Sequence, residues 1–166
     1  MSSVLIVSEQ TACAETLQRS LDGTVATSAP SDVEAALCER DWSMVVGIFP
    51  MPDAGSAESV FEDLDSLCTA VVSQRSRVRR LALVSFICRA DDLDGSNFWL
   101  GDRIRRRSQL AVIAGEELGV GVTLIRYLSD QGIKGDPQWT DDVARALHFI
   151  DTAAPYVAVP ELELAR

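Results

Sequence analysis

The sequence contains very few of the side chains on which most catalytic sites depend. Among its 166 residues there is one histidine, His148, and one lysine, Lys134. Zinc sites built on several histidines are therefore excluded, and any Ser-His-Asp or Cys-His mechanism would have to use His148. No sequence spacing places a nucleophilic side chain next to His148, so we interpret His148 as a structural residue. We expect no metal site.

Positive charge is also scarce. The chain has 15 Lys+Arg against 25 Asp+Glu, which gives a formal net charge of −10. Nucleic-acid binding needs a basic face that replaces the counterions of the phosphate backbone, and this composition does not favour one. The arginine cluster within residues 103–107 is interpreted as a solvated helix face or a subunit contact. We expect no nucleic-acid partner.

Long hydrophobic runs are absent too. None approaches the roughly 18 apolar residues that a membrane span requires, and the first ten residues do not resemble a signal peptide. The four cysteines are separated by 25, 30 and 20 residues, so no Cys-x-x-Cys unit exists for metal or redox chemistry. These absences predict a cytoplasmic protein with reduced cysteines and no membrane contact.

What the sequence does have is a regular alternation of short apolar runs and longer amphipathic stretches. The runs are typical of strands buried on both faces of a parallel sheet, and the stretches between them are typical of helices. This pattern predicts one domain over residues 1–166. Its expected fold is α/β, a Rossmann-like, doubly wound, mostly parallel sheet of about six strands with helices on both faces. The predicted strands are 4–7, 25–28, 44–49, 81–86, 120–128 and 156–159, and the predicted helices are 11–21, 31–40, 58–75, 97–118 and 141–152.

Helix caps can also be predicted from the sequence. Ser31 is followed three residues later by Glu34, which is the spacing of a capping box, and Thr140 precedes the last predicted helix. Both hydroxyl side chains are therefore expected to cap helix N-termini.

Two stretches in the second half resemble the short-chain dehydrogenase/reductase (SDR) family. Residues 139–150 resemble that family's late helix, which carries an Asp-Asp-Val-Ala segment, and residues 109–126 resemble its long helix, an Ala-x-Glu-Leu-Gly ending and the next strand. The order and spacing of elements from Val71 onwards agree with the family. The resemblance implies a Rossmann fold, here shortened between Ser28 and Trp42, that binds a dinucleotide after its first strand.

The first half allows another interpretation. Residues 4–7 and the Met-Pro-Asp-Ala-Gly sequence at 51–55 are similar to the first strand and a loop of response-regulator receiver domains. In that family the phosphoacceptor aspartate would fall at Ile48, and a strand beyond the last helix is one element too many. A receiver-like interaction domain that cannot be phosphorylated is therefore an alternative.

The SDR resemblance implies a Thr-Gly-x-x-x-Gly-x-Gly turn, in which glycines let the backbone approach a pyrophosphate at a helix N-terminus. The aligned residues begin at Ser8, and Glu9, Cys13 and Glu15 replace the three glycines. At about 5 Å and an effective dielectric constant of about 20, each carboxylate beside a phosphate would cost on the order of 3 kcal/mol. We predict that this turn is degenerate and that no dinucleotide cofactor binds there.

The Tyr-x-x-x-Lys pair that catalyses the SDR reaction is missing from the sequence. Neither tyrosine is followed four residues later by a lysine. The resemblance places Trp99 at the tyrosine position and Arg103 at the lysine position, and neither side chain exchanges a proton readily near neutral pH. The helper serine of the family falls at Ser85 or Phe86. No intact catalytic residue is therefore expected.

These losses favour a non-catalytic SDR-like subunit that stabilises or regulates an intact SDR oxidoreductase in a hetero-oligomer. The helices predicted at 58–75 and 97–118 carry more apolar positions than one sheet face needs. The resemblance implies that they form a four-helix bundle with a second subunit, either an intact relative or a second copy. The alternative enzyme is a cyclase, isomerase or dehydratase that works without nicotinamide and reuses the crevice through Ser85, Asp92, Trp99 and Arg103.

Overall fold

The computed structural model describes residues 3–49, 57–88, 119–129, 138–153 and 161–165, together with helical positions 103, 106, 107, 109–111, 113 and 115, which are called the 103–115 segment. The strands are β1 (Ser3–Val7), β2 (Thr24–Ser28), β3 (Met44–Phe49), β4 (Arg80–Cys88), β5 (Gly121–Ser129) and β6 (Glu161–Ala165). The helices are α1 (Thr11–Ser20), α2 (Val33–Glu39), α3 (Ala57–Ser73) and α4 (Trp139–Thr152), and a 3-10 turn (Pro30–Asp32) precedes α2.

The six strands form one parallel sheet in the order β2-β1-β3-β4-β5-β6. The chain moves outward from β1 to β2, crosses back over β1 to β3, and then continues in the opposite direction. This arrangement confirms the predicted α/β, doubly wound sheet. Because the order reverses between β1 and β3, their carboxyl ends mark the place where such sheets usually bind ligands.

Both faces of the sheet are covered, which explains why the central strands are apolar throughout. All six residues of β3 are buried. Along β1, Val4 and Ile6 face the core formed with α1 and α4, while Leu5 and Val7 face the core formed with α2 and α3. A strand that is buried on both sides needs apolar residues at every position, and this requirement produces the continuous runs seen in the sequence.

The 103–115 segment packs beside α3 and runs parallel to it. Arg103 places its guanidinium over the ring of Phe61, 4.8 Å from the ring centre. One turn further along both helices, Arg107 forms a two-point ion pair with Asp65, with Nε 2.8 Å from Oδ1. The contacting residues therefore advance in the same direction along the two helices, as expected for consecutive crossovers of a parallel sheet.

A glycine lets the end of the 103–115 segment approach β5 closely. A Cβ atom on Gly115 would lie 2.4 Å from Cγ2 of Val122 and 2.7 Å from the carbonyl oxygen of Val120. Gly119 follows in the turn with a φ of +75°, a conformation that favours glycine. The Ala-x-Glu-Leu-Gly ending recognised in the sequence therefore includes positions where a side chain would be strained.

Both predicted caps are wrong. Ser31 lies inside the 3-10 turn, because Pro30 begins that turn and α2 starts only at Val33. Thr140 is buried within the first turn of α4, which begins one residue earlier at Trp139. Neither α2 nor α4 has a side-chain cap hydrogen bond.

Most predicted element boundaries agree with the structure, and the last strand differs. Five strands and four helices lie within two residues of the predicted bounds. The strand predicted at 156–159 falls outside the described residues, as does most of the helix predicted at 97–118. The last described strand is β6 at Glu161–Ala165, beyond Pro160, where the prediction ended. Among the described helices, none is long and apolar enough to cross a membrane.

Candidate functional site

A small cleft opens at the carboxyl ends of β1 and β3, where the strand order reverses. Its volume is about 120 Å³. Its walls come from the two strands, from α3 and from the residues that precede α1 and α2. The apolar lining consists of Val7, Pro30, Ile48, Phe49, Val60 and Leu67, and the polar lining consists of Glu9, Gln10, Ser59 and Asp63.

The turn between β1 and α1 is held by two hydrogen bonds from backbone amides. The amide of Ser8 donates to the carbonyl of Ser28 at 3.1 Å, and the amide of Gln10 donates to the Ser8 hydroxyl at 3.1 Å. No residue of this turn has a positive φ. The backbone therefore follows a path that ordinary residues adopt, and the turn forms without the glycines that the SDR resemblance implies.

The four residues predicted to replace the glycine turn do not lie together. Glu9 is exposed and lines the cleft, whereas Ser8 is buried beneath the turn. Cys13 faces the core under α1, and its Sγ lies 3.2 Å from the side-chain oxygen of Gln10. Glu15 is exposed further along α1 and is not among the cleft-lining residues. Of the two carboxylates expected beside the ligand, only that of Glu9 is at the cleft.

The second carboxylate at the cleft is Asp63 of α3, which the sequence analysis did not single out. Partial burial raises the pKa of Asp63 above its ordinary value of 3.8, and the negative charges of Glu9 and Glu62 raise it further. Asp63 lies about two turns into α3, the helix that follows β3, and this position in the sequence is the signal that could have identified it as a site residue. The cleft therefore carries a negative potential.

The two alternatives for the helper serine lie on opposite faces of β4. Phe86 is in the core, where its ring packs edge-on against Trp139 at 5.1 Å between centroids and against Tyr127 at 5.8 Å. Ser85 is buried in register between Phe49 and Arg126, on the sheet face that α3 covers. Only Ser85 therefore shares a face with α3 and the 103–115 segment.

The residues proposed for a non-redox enzyme are not brought together in the described part of the chain. Trp99 and Asp92 lie outside the described residues. Arg103 is exposed above Phe61, and neither Arg103 nor Ser85 lines the cleft. Among the described residues, no group of three His, Cys, Asp or Glu side chains is arranged to hold a metal ion.

Comparisons with known proteins identify the fold. No family model and no curated protein matches the sequence. The structure is similar to 3-alpha-hydroxysteroid dehydrogenase from Pseudomonas sp. B-0831, solved with NADH, at a TM-score of 0.63 and 14% identity over 99% of this chain and 95% of that chain. It is also similar to BdcA from E. coli, at a TM-score of 0.64 and 11% identity over 98% of this chain and 97% of that chain. A third similar structure is serine dehydrogenase from Escherichia coli, at a TM-score of 0.61 and 13% identity over 98% of this chain and 96% of that chain.

The strand order shows where this chain is shorter. Doubly wound dinucleotide-binding sheets commonly have the order 3-2-1-4-5-6, with one strand beyond the second. Here only the 3-10 turn and α2 lie between Ser28 and Trp42, and β2 is the edge of the sheet. The predicted site of shortening is therefore the position at which a strand is missing.

Strand order alone does not separate the two resemblances. An order of 2-1-3-4-5 also occurs in flavodoxin-like folds, to which receiver domains are related. The parallel strand β6 beyond α4 is the element that the receiver interpretation does not accommodate. The similar solved structures, which span nearly the whole chain, are SDR proteins. The chain thus has the fold of the short-chain dehydrogenase/reductases, in a shortened form of 166 residues.

Proposed function

We propose that this protein is a catalytically silent SDR-like subunit that binds no dinucleotide and that stabilises or regulates an intact SDR oxidoreductase. The observation that carries the proposal is the cleft at the ends of β1 and β3. It is small, and the carboxylates of Glu9 and Asp63 line it. Both properties oppose the binding of a dinucleotide.

The size and charge of the cleft can be compared with what a dinucleotide needs. Ligand pockets usually measure about 300–1,000 Å³, and this cleft measures about 120 Å³. The N-terminus of a helix supplies only about half a positive charge. Ionised Glu9 and Asp63 outweigh that charge, so the potential at the start of α1 repels a pyrophosphate.

The positions of the family's catalytic residues support the same proposal. The sequence contains no Tyr-x-x-x-Lys pair. Arg103, which the resemblance places at the lysine position, lies over Phe61, and Phe86, one alternative for the helper serine, fills the core beside Trp139. These side chains contribute to packing, and a guanidinium does not act as a proton shuttle near neutral pH.

A surface suited to subunit contact lies on α3 and the 103–115 segment. Leu110 and Ile113 are one helical turn apart and are 67% and 57% exposed, and Val72 of α3 is 38% exposed. Exposed apolar side chains that share one helix face often mark a protein contact. This face supports association with an intact SDR subunit, and self-association through the same helices is the other form of the proposal.

Co-expression with intact SDR enzymes encoded near this chain, followed by size exclusion, tests the proposal. We expect one of them to co-elute with this chain and to gain stability or activity from it. Replacing Leu110 and Ile113 together by Asp should abolish co-elution, because the charges would be buried in the contact. Ala35→Asp, at an exposed position of α2, is the matched control and should have no effect. The proposal is contradicted if no such enzyme co-elutes or if the partner is equally stable and active alone.

A further inference from the structure

A group of positive charges lies at the amino ends of β3 and β4, at the opposite end of the sheet from the acidic cleft. Residues 75–80 read Arg-Ser-Arg-Val-Arg-Arg, so four of these six residues are arginines in a chain whose net charge is −10. Three of the four are exposed, and a further exposed arginine precedes β3. These exposed arginines, called the arginine patch, are Arg40, Arg75, Arg77 and Arg79.

Hydrogen bonds hold the two segments of the arginine patch against each other. The amide of Trp42 donates to the carbonyl of Arg77 at 2.7 Å, and the amide of Arg79 donates to the carbonyl of Trp42 at 3.1 Å. Nη1 of Arg77 donates to the carbonyl of Cys38 in the last turn of α2, at 2.9 Å. The guanidinium of Arg40 lies over the ring of Trp42, 5.3 Å from its centre. The patch is therefore largely arranged before a ligand binds, which lowers the entropic cost of binding.

The contacts of the arginine patch differ from those of arginines elsewhere in the chain. Arg107, Arg126 and Arg145 each form an ion pair with a carboxylate. Among the described residues, no carboxylate forms an ion pair with an arginine of the patch. The patch side chains instead contact backbone carbonyls in the last turns of α2 and α3 and the ring of Trp42. Because a guanidinium has five N–H donors, most of the donors of the patch remain open to a ligand.

The acidic groups around the patch offset only part of its charge. Glu39 and Asp41 are exposed and flank the first patch residue in the sequence, so two carboxylates stand against four guanidiniums. The charge of Asp151 acts on Arg80, which is buried and outside the patch. Burial lowers the pKa of Arg80, and the charge of Arg79 lowers it further, whereas Asp151 raises it. Positive charge therefore remains at this end of an acidic protein.

The surroundings of the patch favour the carboxylates of a protein segment over nucleic acid. Proteins that bind single-stranded nucleic acid usually present exposed aromatic rings on which the bases stack. Trp42, the one aromatic residue in the two segments of the patch, is 2% exposed and is covered by Arg40. A duplex would extend beyond the patch, where the net charge of −10 repels its phosphates. A short acidic segment contacts the patch alone, and each carboxylate can accept two parallel hydrogen bonds from one guanidinium.

We propose that the arginine patch binds an acidic segment of a partner protein, in which closely spaced aspartate or glutamate side chains pair with the guanidiniums. A second copy of this chain is not favoured as the partner, because two chains of charge −10 repel each other. The inference goes beyond the proposed function. Its test uses this chain alone and requires neither an SDR partner nor the cleft, so the failure of one proposal is distinguishable from the failure of the other.

A nine-residue fluorescent peptide that alternates glutamate and serine tests the inference by anisotropy. We expect saturable binding that weakens as the salt concentration rises from about 20 to about 300 mM. A peptide with glutamine in place of glutamate should not bind. Replacing Arg75 and Arg79 together by Gln should weaken binding of the glutamate peptide about tenfold, because two charge-assisted contacts are lost.

The matched control replaces Arg19 and Arg145 together by Gln, which changes the net charge equally at exposed positions of α1 and α4. It should leave binding within about twofold. Equal losses for the two double variants would show attraction without a defined site and would overturn the inference, as would equal binding of the glutamine peptide. If a single strand of thymidines displaces the peptide at a lower concentration than unlabelled peptide does, nucleic acid is the preferred ligand and the inference is wrong.

Discussion

Glu9 and Asp63 line the same cleft, and the described residues that line it with them include no basic side chain. Partial burial of its carboxyl group is the main reason that the pKa of Asp63 is raised, and the negative charges of Glu9 and Glu62 raise it further. Below 3.8 the Asp63 carboxyl is protonated in both the folded and the unfolded chain. Between pH 3.8 and the higher pKa of the folded state, the unfolded chain gives up this proton more readily than the folded chain does. The free energy of unfolding therefore falls as the pH rises through this range.

Asp63→Asn should therefore stabilise the protein at pH 7. We expect a gain below about 1 kcal/mol, since solvent screens a carboxyl that is partly exposed. The gain should shrink as the pH falls towards 3.8, where Asp63 becomes neutral. Urea denaturation at several pH values measures it, with Asp22→Asn in an exposed loop as the control. A variant less stable than the unchanged protein at pH 7 would contradict the assignment.

Phe86 and Phe149 provide a second comparison at the residue scale. Phe86 is buried among aromatic rings, whereas Phe149 is largely exposed. Phe86→Ala should lower the free energy of unfolding by about 3–5 kcal/mol, and Phe149→Ala by less than about 1 kcal/mol. Denaturant unfolding of both variants measures the difference. Similar costs would mean that Phe86 does not have the packing role assigned to it.

At the scale of elements, the 103–115 segment makes a close approach to β5 as well as an ion pair with α3. The Arg107–Asp65 pair is about half-exposed on both sides and contributes little stability on its own. The contact of Gly115 with β5 is different, because the atoms that a Cβ would meet include a backbone carbonyl, which cannot move aside cheaply.

Gly115→Ala should therefore destabilise the fold by about 1–3 kcal/mol, despite the roughly 1 kcal/mol that alanine gains in an unstrained helix. Gly121→Ala is the matched control, since its Cβ would come no closer than 3.7 Å to Cγ of Arg80. Thermal unfolding of the two variants distinguishes them. Equal melting temperatures would show that the helix can move away from β5 without cost.

The elements were predictable to different degrees, for physical reasons. Strands buried on both faces are continuous apolar runs, so their limits could be read from the sequence. β6 is an edge strand with alternating Glu and Leu, a weaker pattern than a continuous apolar run, so the prediction from apolar runs ended at residue 159, although the SDR resemblance extended the closing strand over residues 156–164. The start of α2 depends on Pro30, which begins the 3-10 turn before it. The start of α4 depends on the packing of Trp139 against Phe86, a tertiary contact that outweighs the local cap signal of Thr140.

The candidate site was predictable only in part. The missing Tyr-x-x-x-Lys pair and the missing glycines follow directly from the sequence. The exclusion of Glu15 from the cleft and the presence of Asp63 depend on how α1 and α3 are placed over the sheet, which no local pattern specifies. The size of the cleft likewise emerges only when strands and helices are assembled.

At the scale of the whole molecule, two exposed surfaces and one cleft lie at different places around the sheet. One surface is the apolar face of α3 and the 103–115 segment, and the other is the arginine patch at the amino ends of β3 and β4. At the opposite end of the sheet, where this fold usually holds its ligand, is a small acidic cleft. These features of the described residues are the basis of our proposal that the chain contacts another protein and binds no dinucleotide.

Calorimetric titration with NADH and NADPH tests our proposal that this chain binds no dinucleotide. An SDR enzyme with an intact glycine turn, titrated under the same conditions, is the positive control. We expect no saturable heat for this protein with either dinucleotide up to about 1 mM. Saturable binding of either one with a dissociation constant in the micromolar range would contradict it.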